Sequence, residues 1–266
     1  YTGEDTLSLH DALPILRDFV FNSTNSKIGL STLQTSYKLN NKKLDINSLR
    51  YDIKNFKALI QPSDFTSIFP ELKALTASYT ASLDIQGTSR SVRVKQINIS
   101  DQSLSTQIRA KGWVSNLQKK PTWDFSFSPL KISSNTLQTV AKLTHKPLPK
   151  VLNNIGNVYY HGTFAHTAGK YIAKGQLKTD AGALRLSTVI HGKNIQGTIN
   201  TTGLNIAKVL DNNDFGNLST NIRVEGNTDL SHIVAKGDIS SFYYKGYTYK
   251  NIQIGRAHVW TPVTPE

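Results

Sequence analysis

Apolar and polar residues alternate along most of this chain, and that alternation restricts the fold more than any other feature. Tyr171, Ala173 and Leu177, for example, alternate with Lys174 and Lys178. Successive side chains of a β-strand point to opposite faces of its sheet, so each such segment predicts a strand with one apolar and one polar face. The residues that we expect on the apolar face are Leu177, Leu184, Leu186, Ile190, Ile222, Val224, Ile233 and Ile239.

Turn signals that contain glycine separate the alternating segments, as at 87–89, 179–182 and 226–229. After Lys95 the apolar positions change from even to odd numbers, as a β-bulge would produce. Short strands joined in this way are typical of an antiparallel meander. We therefore expect a mainly all-β fold, in which repetitive antiparallel strands form an elongated curved sheet or groove with a few short helices.

Three short segments have helical spacing instead. They begin near Asp64, Asn135 and Asn205. Asn135 is the expected N-cap of the second segment, with Gln138 in the capping-box position, and Pro147 enforces a stop. The regular spacing predicts a degenerate repeat, with copies starting near 64, 135 and 205, of one short helix followed by several strands. Such repeats bury their apolar face only against stacked neighbours.

The two ends of the chain differ in character from the rest. Residues 6–15 and 254–264 read like translations of the adapters used in sequencing libraries, each in phase with its neighbouring residues. We therefore expect 1–15 and 254–266 to be adapter-derived and exclude them from fold reasoning. The region 16–253 is then expected to be an internal fragment of a longer β-repeat protein.

The charge balance favours anionic partners. Lysine and arginine number 31 against 18 acids, for a net charge of +13. Such a balance is typical of contact with phospholipid headgroups, lipopolysaccharide or nucleic acid, although scattered charge is also found on simply solvated surfaces. Tyr243, Tyr244, Tyr247 and Tyr249 beside Lys245 suggest an aromatic and basic nucleic-acid surface. Alternating aromatic residues are equally ordinary in strands, and we expect no nucleic acid as partner.

The residues do not predict catalysis, a cofactor or a metal. The chain has no cysteine, which excludes disulfides and thiolate sites and fits the periplasm. Asp214-Phe215-Gly216 spells a kinase motif without the accompanying kinase motifs, and we interpret it as a turn at a helix exit. His161 and His166 differ by an odd number, so on one strand they would point to opposite faces and could not share a metal. We expect no enzyme.

Lys142, Lys146 and Lys150 are spaced four residues apart. On a continuous helix they would form a cationic stripe that could contact anionic lipid headgroups, whereas a solvated helix face is the plainer interpretation. Pro147 and Pro149 interrupt that helix.

Several segments together resemble a known family. They are 205–210 (NIAKVL), 214–219 (DFGNLS), 222–226 (IRVEG), 235–240 (AKGDIS) and 244–252 (YKGYTYKNI). In their order of helix, alternating strand and glycine turn they resemble the AsmA-like superfamily, specifically the TamB-type envelope proteins of Bacteroidota. The segments 156–162 and 174–179 resemble the preceding repeat.

The resemblance implies a large protein of the periplasm and cell envelope, anchored in the inner membrane by an N-terminal helix. Its long β-groove with an apolar interior would conduct phospholipid or another envelope lipid toward the outer membrane, in outer-membrane biogenesis. Membrane contact would come through parts outside this chain. The family has no catalytic residues to carry over.

Three functions stay open at this point. The first is an apolar groove for lipid transport. The second is a scaffold for outer-membrane protein assembly and translocation, working with a barrel assembly protein, in which exposed strand edges pair with client strands. The third is a structural β-repeat adhesin or stalk, whose apolar face would be buried in a closed core.

Overall fold

Fourteen strands form most of the part of the chain that the structure describes. The computed structural model describes residues 15–41, 43–145, 147–148, 150–228 and 232–260. The expected adapter segment 1–15 lies outside the described residues apart from Ile15, and 261–266 of the second one also lies outside them. The strands are β1 Ile15–Asn22, β2 Lys27–Asn40, β3 Lys43–Ile60, β4 Tyr79–Thr88, β5 Ser91–Asp101, β6 Gln107–Ser115, β7 Thr122–Ile132, β8 Val158–Thr167, β9 Lys170–Thr179, β10 Gly182–His191, β11 Asn194–Asn205, β12 Phe215–Asn227, β13 His232–Tyr244 and β14 Tyr247–Trp260.

All fourteen strands belong to one sheet, in which each strand pairs antiparallel with the next in chain order. Strands make up 67% of the structure, so the predicted mainly β fold of repeated antiparallel strands is confirmed. At about 4.8 Å between neighbouring strands, the sheet is about 60 Å wide. It is open and uncurled. Its apolar face is therefore a broad surface whose two margins do not meet.

Helices occupy three of the connections between strands. Two 3-10 turns, Pro62–Phe65 and Pro70–Ala74, join β3 to β4. Helices α1 (Ser134–Thr144) and α2 (Lys150–Asn154) join β7 to β8, and α3 (Ile206–Leu210) joins β11 to β12. The helical elements thus begin at 62, 134 and 206, close to the predicted starts, and four strands lie between one and the next.

The expected N-cap of α1 was wrong. Ser133, not Asn135, caps the helix, because its extended backbone lets the side chain accept a hydrogen bond from the backbone N–H of Thr136. Asn135 lies inside the first turn. Helix α1 ends at Thr144, where His145 adopts a left-handed conformation with φ 53° before Pro147. Sequence spacing locates such a helix well, but Ser and Asn are nearly equal as caps.

Every helical connection lies at the same end of the sheet. It follows β3, β7 or β11, and these strands run in the same direction because neighbouring strands are antiparallel. At this end Asp64 also accepts hydrogen bonds from Ser23 Oγ (2.5 Å), Asn25 N (2.8 Å) and Ser26 Oγ (2.8 Å). These bonds, that from Ser23 first, hold the pKa of Asp64 well below its usual range and tie the β1–β2 turn to the first 3-10 turn.

A small core lies at this end of the sheet. Ile155, Ala181 and Leu204 are its buried members, with 6%, 3% and 8% exposure. They come from the turn after α2, the β9–β10 turn and the end of β11, and partly buried apolar residues of α2, α3, β8 and β10 pack around them. Helices α2 and α3 therefore cover the apolar face at one end and leave most of its length uncovered among the residues described.

The predicted bulge after Lys95 is confirmed. Asp84 pairs with Gln96 while the next residue, Ile85, pairs with Val94, so Lys95 is the extra residue on β5. The bulge keeps the apolar side chains on one face, because it moves them from even to odd positions on either side of the extra residue.

Candidate functional site

Strand register brings all eight predicted apolar-face residues onto one side of the sheet. Leu184 pairs with Leu177, and Leu186 continues through Ile199 to Ile222 across three strands. Residues directly opposite in neighbouring strands share a face, so these pairs fix the relative orientation of β9 to β12. The remaining pairs on this side are Ile190 with Ile195, Val224 with Ala235, Ile233 with Gly226, and Ile239 with Thr220. We call this side the apolar face and the opposite side the polar face.

The side chains of the apolar face are only partly buried. All eight predicted side chains are partly buried, whereas Arg185, Lys178 and Arg223 on the polar face are exposed. The molecule exposes 18125 Å², against about 11,500 Å² for a compact protein of this mass. The excess reflects a single-layered sheet, because no second layer of the described residues packs onto the middle of the apolar face.

Glycines and one tyrosine shape this face near β8 and β9. Gly162 pairs with Gly175, and a Cβ on Gly162 would lie 2.3 Å from the carbonyl oxygen of Lys174. The ring of Tyr160 lies beside the two glycines, and its hydroxyl donates toward the carbonyls of Thr163 (2.6 Å) and Lys174 (3.1 Å). Tyr160 is 8% exposed, and burial raises the pKa of its phenol. The tyrosine therefore fills the space that two missing side chains leave.

An aromatic cluster on β7 to β9 extends the apolar face toward the end that lacks helices. Trp123 meets Phe164 edge to face at 4.9 Å between ring centroids and lies 6.4 Å from Tyr171. His166 packs at 4.6 Å from Tyr171, and its Nδ1 lies 2.9 Å from the carbonyl oxygen of Pro121. Sequence reasoning missed this cluster. The alternation of Trp123, Phe125 and Phe127 was the available signal, and Phe164 and Tyr171 are 39% and 46% exposed.

The charged side chains on the polar face of the same strands are mostly basic. Lys174, Lys178, Arg185, Arg223 and Lys236 lie on it, and all are exposed. Arg223 forms an ion pair with Glu225 at 3.3 Å, between two side chains that are more than half exposed. Such a pair contributes little to stability, about 0–1 kcal/mol. The two faces thus differ sharply in chemistry although each belongs to the same single layer.

The predicted lysine stripe is interrupted. Lys142 is exposed in the last turn of α1, Lys150 is exposed at the start of α2, and the helix does not continue past Pro147. Lys146 lies outside the described residues. Lys142 and Lys150 therefore belong to two separate helices at the helix-bearing end, and their contact with anionic headgroups stays a prediction.

The polar motifs of the sequence lie at a helix exit and on a strand, where they have ordinary structural roles. Asp214-Phe215-Gly216 forms the exit from α3 into β12, and Asp214 lies 3.9 Å from Lys245 Nζ. His161 pairs with Gln176 and His166 with Tyr171, so the two histidines do point to opposite faces. Within the described residues, no three His, Asp or Glu side chains come together in a way that could hold a metal ion.

The longest described helix has 11 residues, and none of the described helices is long and apolar enough to cross a membrane. Comparison of the chain with protein-family models, curated proteins and solved structures finds no match. What the chain does is therefore inferred from the apolar face and from the residues around it.

Proposed function

We propose that this chain is a segment of an AsmA-like, TamB-type envelope protein, and that its apolar face carries the acyl chains of phospholipids. One observation supports this most directly: eight apolar side chains from β9, β10, β12 and β13 share one face and stay partly exposed. A face of this extent, which no second layer of the described residues covers, is an interaction surface, because monomeric soluble proteins rarely expose large contiguous apolar patches.

The physical fit to acyl chains is good. Transfer of each methylene from water to an apolar surface is favourable by about 0.8 kcal/mol, without any directional requirement. A flat row of Leu, Ile and Val can therefore hold a chain at many positions along its length. A surface with many equivalent positions suits movement of a lipid, whereas a closed pocket would retain it.

The lipid headgroup would lie where the apolar face meets exposed lysines. Lys142 and Lys150 are exposed at the helix-bearing end. Each lysine near an anionic lipid surface contributes about 1 kcal/mol, and this attraction decreases with salt. Phospholipid or another envelope lipid is thus the proposed ligand, with no catalytic step and no cofactor.

The proposed location is the periplasm or cell envelope, and inner-membrane anchoring would be provided by parts of the protein outside this chain. The resemblance of segments such as 205–210 and 222–226 to TamB-type proteins supports this location, as does the absence of cysteine throughout the chain. The region 16–253 is proposed as an internal β-repeat fragment, although β14 extends beyond it to Trp260.

A second candidate function has a specific observation in its favour. Among the residues that the structure describes, strands β1 and β14 are the two edges of the sheet, and each pairs on one side only. Unpaired strand edges are templates for added strands, so the sheet could also serve as a scaffold on which strands of outer-membrane proteins assemble. The adhesin or stalk hypothesis expects a closed core, and the partly exposed apolar face gives it less support.

Photocrosslinking tests the proposal. A benzophenone amino acid would replace Leu177, Ile222 or Val224 on the apolar face, and Lys178 or Arg223 on the polar face as matched controls. The full chain would be incubated with phosphatidylglycerol vesicles and irradiated, and lipid adducts would be counted by mass spectrometry. We expect adducts at the three apolar positions and few at the controls. Equal labelling of both faces would refute the proposal. If the same variants are irradiated in cells, crosslinks to nascent barrel proteins in place of lipid would favour the scaffold.

A further inference from the structure

A concavity lies on the polar face, far from the strands that carry the predicted apolar residues. It has a volume of about 860 Å³ and is formed by β1 to β5. Small-molecule sites commonly measure about 300–1,000 Å³. The register places Val20, Gly29, Lys57 and Ser82 in one row across it, since each residue pairs with the next. This row is on the side opposite Ala58 and Ala81.

The backbone explains why the surface is concave here. Asp18 and Asn55 have positive φ angles of 48° and 52°, and both line the concavity. The pairing of β3 with β4 shifts by one residue between Ile53 and Phe56, which is a bulge at Asn55. Bulges bend a strand and increase its twist. Gly29 adds no side chain to the floor of the concavity. The space above it is open, since a Cβ added there would have one neighbour within 4 Å, the carbonyl oxygen of Phe19 at 3.6 Å.

Two lysines supply the charge of the concavity. Lys27 pairs with Leu59, and Lys57 is two residues away from Leu59 on β3, so the lysines are diagonal neighbours on one face. Among the described residues neither forms an ion pair with a carboxylate. Asp18 is the one acid of the described lining, so the local balance is positive. Two adjacent cations without acid partners attract a single anionic group.

Both polar and apolar groups lie beside the lysines. Thr80 and Ser100 are 2.9 Å apart between hydroxyl oxygens, and Asn98 donates to Ser82 at 3.1 Å, so this wall offers hydroxyl groups. Val20 lies on β1, across β2 from these hydroxyls, and Leu59 lies between Lys27 and Thr80, with which it pairs. The two side chains are 54% and 44% exposed, although they lie on the polar face. A ligand that matches the two lysines and these exposed apolar side chains has an anionic head and an apolar tail.

We propose that this concavity binds a single-chain amphiphile with an anionic head, a carboxylate or a phosphate, through Lys27 and Lys57, with its tail against Val20 and Leu59. The site is separate from the apolar face and does not depend on the lipid path proposed above. Fatty acids and lysophospholipids share this chemistry, and the two head groups are distinguished by experiment.

Calorimetric titration of the full chain tests the site. The probes are dodecanoate, dodecyl phosphate and the neutral dodecanol, each kept below the concentration at which it aggregates. We expect the two anions to bind at one site and dodecanol to bind at least tenfold more weakly. A tighter fit of dodecanoate identifies a fatty-acid site, and a tighter fit of dodecyl phosphate identifies a lysophospholipid site. Binding of dodecanol as tight as that of both anions would overturn the proposal.

Variants locate the site. The Lys27→Gln/Lys57→Gln double variant should weaken anion binding about tenfold or more, because two favourable charges are lost. Gly29→Val fills the concavity with a good strand-forming side chain, leaves both charges in place and should abolish binding. The matched control Lys174→Gln/Lys178→Gln removes two lysines elsewhere on the polar face and should bind like the parent. Circular dichroism establishes that each variant is folded.

The outcomes separate this site from the proposed lipid path. Ile222→Asn on the apolar face should reduce phospholipid adducts and leave dodecanoate binding unchanged. If Gly29→Val binds dodecanoate like the parent, or if the control pair weakens binding as much as the Lys27 and Lys57 pair, the concavity is not the site and the inference fails. Neither result would bear on the photocrosslinking of the apolar face.

Discussion

Three leucine-to-alanine variants would measure how open the apolar face is. Leu204, at the end of β11, is 8% exposed in the small core, and Leu186 on the neighbouring β10 is partly buried on the apolar face. Leu210 in α3 is 52% exposed. The three substitutions remove the same atoms, two from neighbouring strands and one from the adjoining helix, so burial is the main difference between the sites.

The expected costs follow from that burial. Leu204→Ala leaves a cavity in the core and should lower the free energy of unfolding by about 3 kcal/mol. Leu186→Ala removes a side chain that water already reaches, so we expect a loss of about 1 kcal/mol. Leu210→Ala should stay within about 0.5 kcal/mol, as is usual for exposed positions.

Urea unfolding followed by circular dichroism gives the three free energies. Strands in a repeated sheet can open locally, so amide hydrogen exchange of β10 and β11 would be measured alongside. A cost for Leu186→Ala as large as that for Leu204→Ala would mean that a second layer covers the face. That result would refute the open face and with it the main support for lipid transport, and it would favour the adhesin or stalk.

Three further predictions concern single positions. Tyr160→Phe keeps the ring but removes a hydroxyl that donates to two backbone carbonyls, and it should cost about 1 kcal/mol in urea unfolding at neutral pH. In the parent, burial raises the pKa of Tyr160 above its ordinary 10.0. The contribution of the tyrosine to stability is therefore present below pH 10.0 and is lost as the pH rises through the raised pKa. The Phe variant should lack this loss of stability at alkaline pH. For Asp101, which is 4% exposed, burial raises the pKa but hydrogen bonds from Ser105 Oγ and Thr106 N lower it by more, and on balance the pKa is lowered. The stability that this carboxylate contributes is therefore present above its ordinary pKa and is lost as the pH falls through the lowered pKa. Melting temperatures measured across acid pH should fall less steeply for Asp101→Asn than for the parent. Identical profiles for the two proteins would contradict this. Gly162→Ala would place a Cβ 2.3 Å from a carbonyl oxygen and should cost more than about 2 kcal/mol, whereas Gly29→Ala, with its nearest atom at 3.6 Å, should change the melting temperature little.

The sequence predicted the strand faces well because side-chain alternation is a local property. Once Leu184, Leu186 and Ile190 alternate with polar residues, their common face follows from strand geometry alone. The helical starts were also predictable, since proline, asparagine and glycine mark the ends of helices. The bulge at Lys95 was readable because the apolar parity changed on either side of it.

The rest depended on pairing between strands, which local sequence patterns do not reveal. The concavity on the polar face requires Lys27 of β2 to lie diagonal to Lys57 of β3, and no local pattern fixes that register. The aromatic cluster joins Trp123 on β7 with Phe164 on β8 and Tyr171 on β9 in the same way. The lysine stripe fails for a local reason: the left-handed turn at His145 ends α1 before Lys150.

The number of strands between helices has a consequence for how such a chain can lengthen. Four strands separate each helical connection from the next, and an even number returns the chain to the end from which it started. Duplication of a unit with four strands therefore adds its helix to the same margin and prolongs both faces without turning them over. A unit with three or five strands would send alternate helices to opposite margins. An even number of strands per unit thus allows the sheet to lengthen by duplication, with helical insertions at one margin and tight turns at the other.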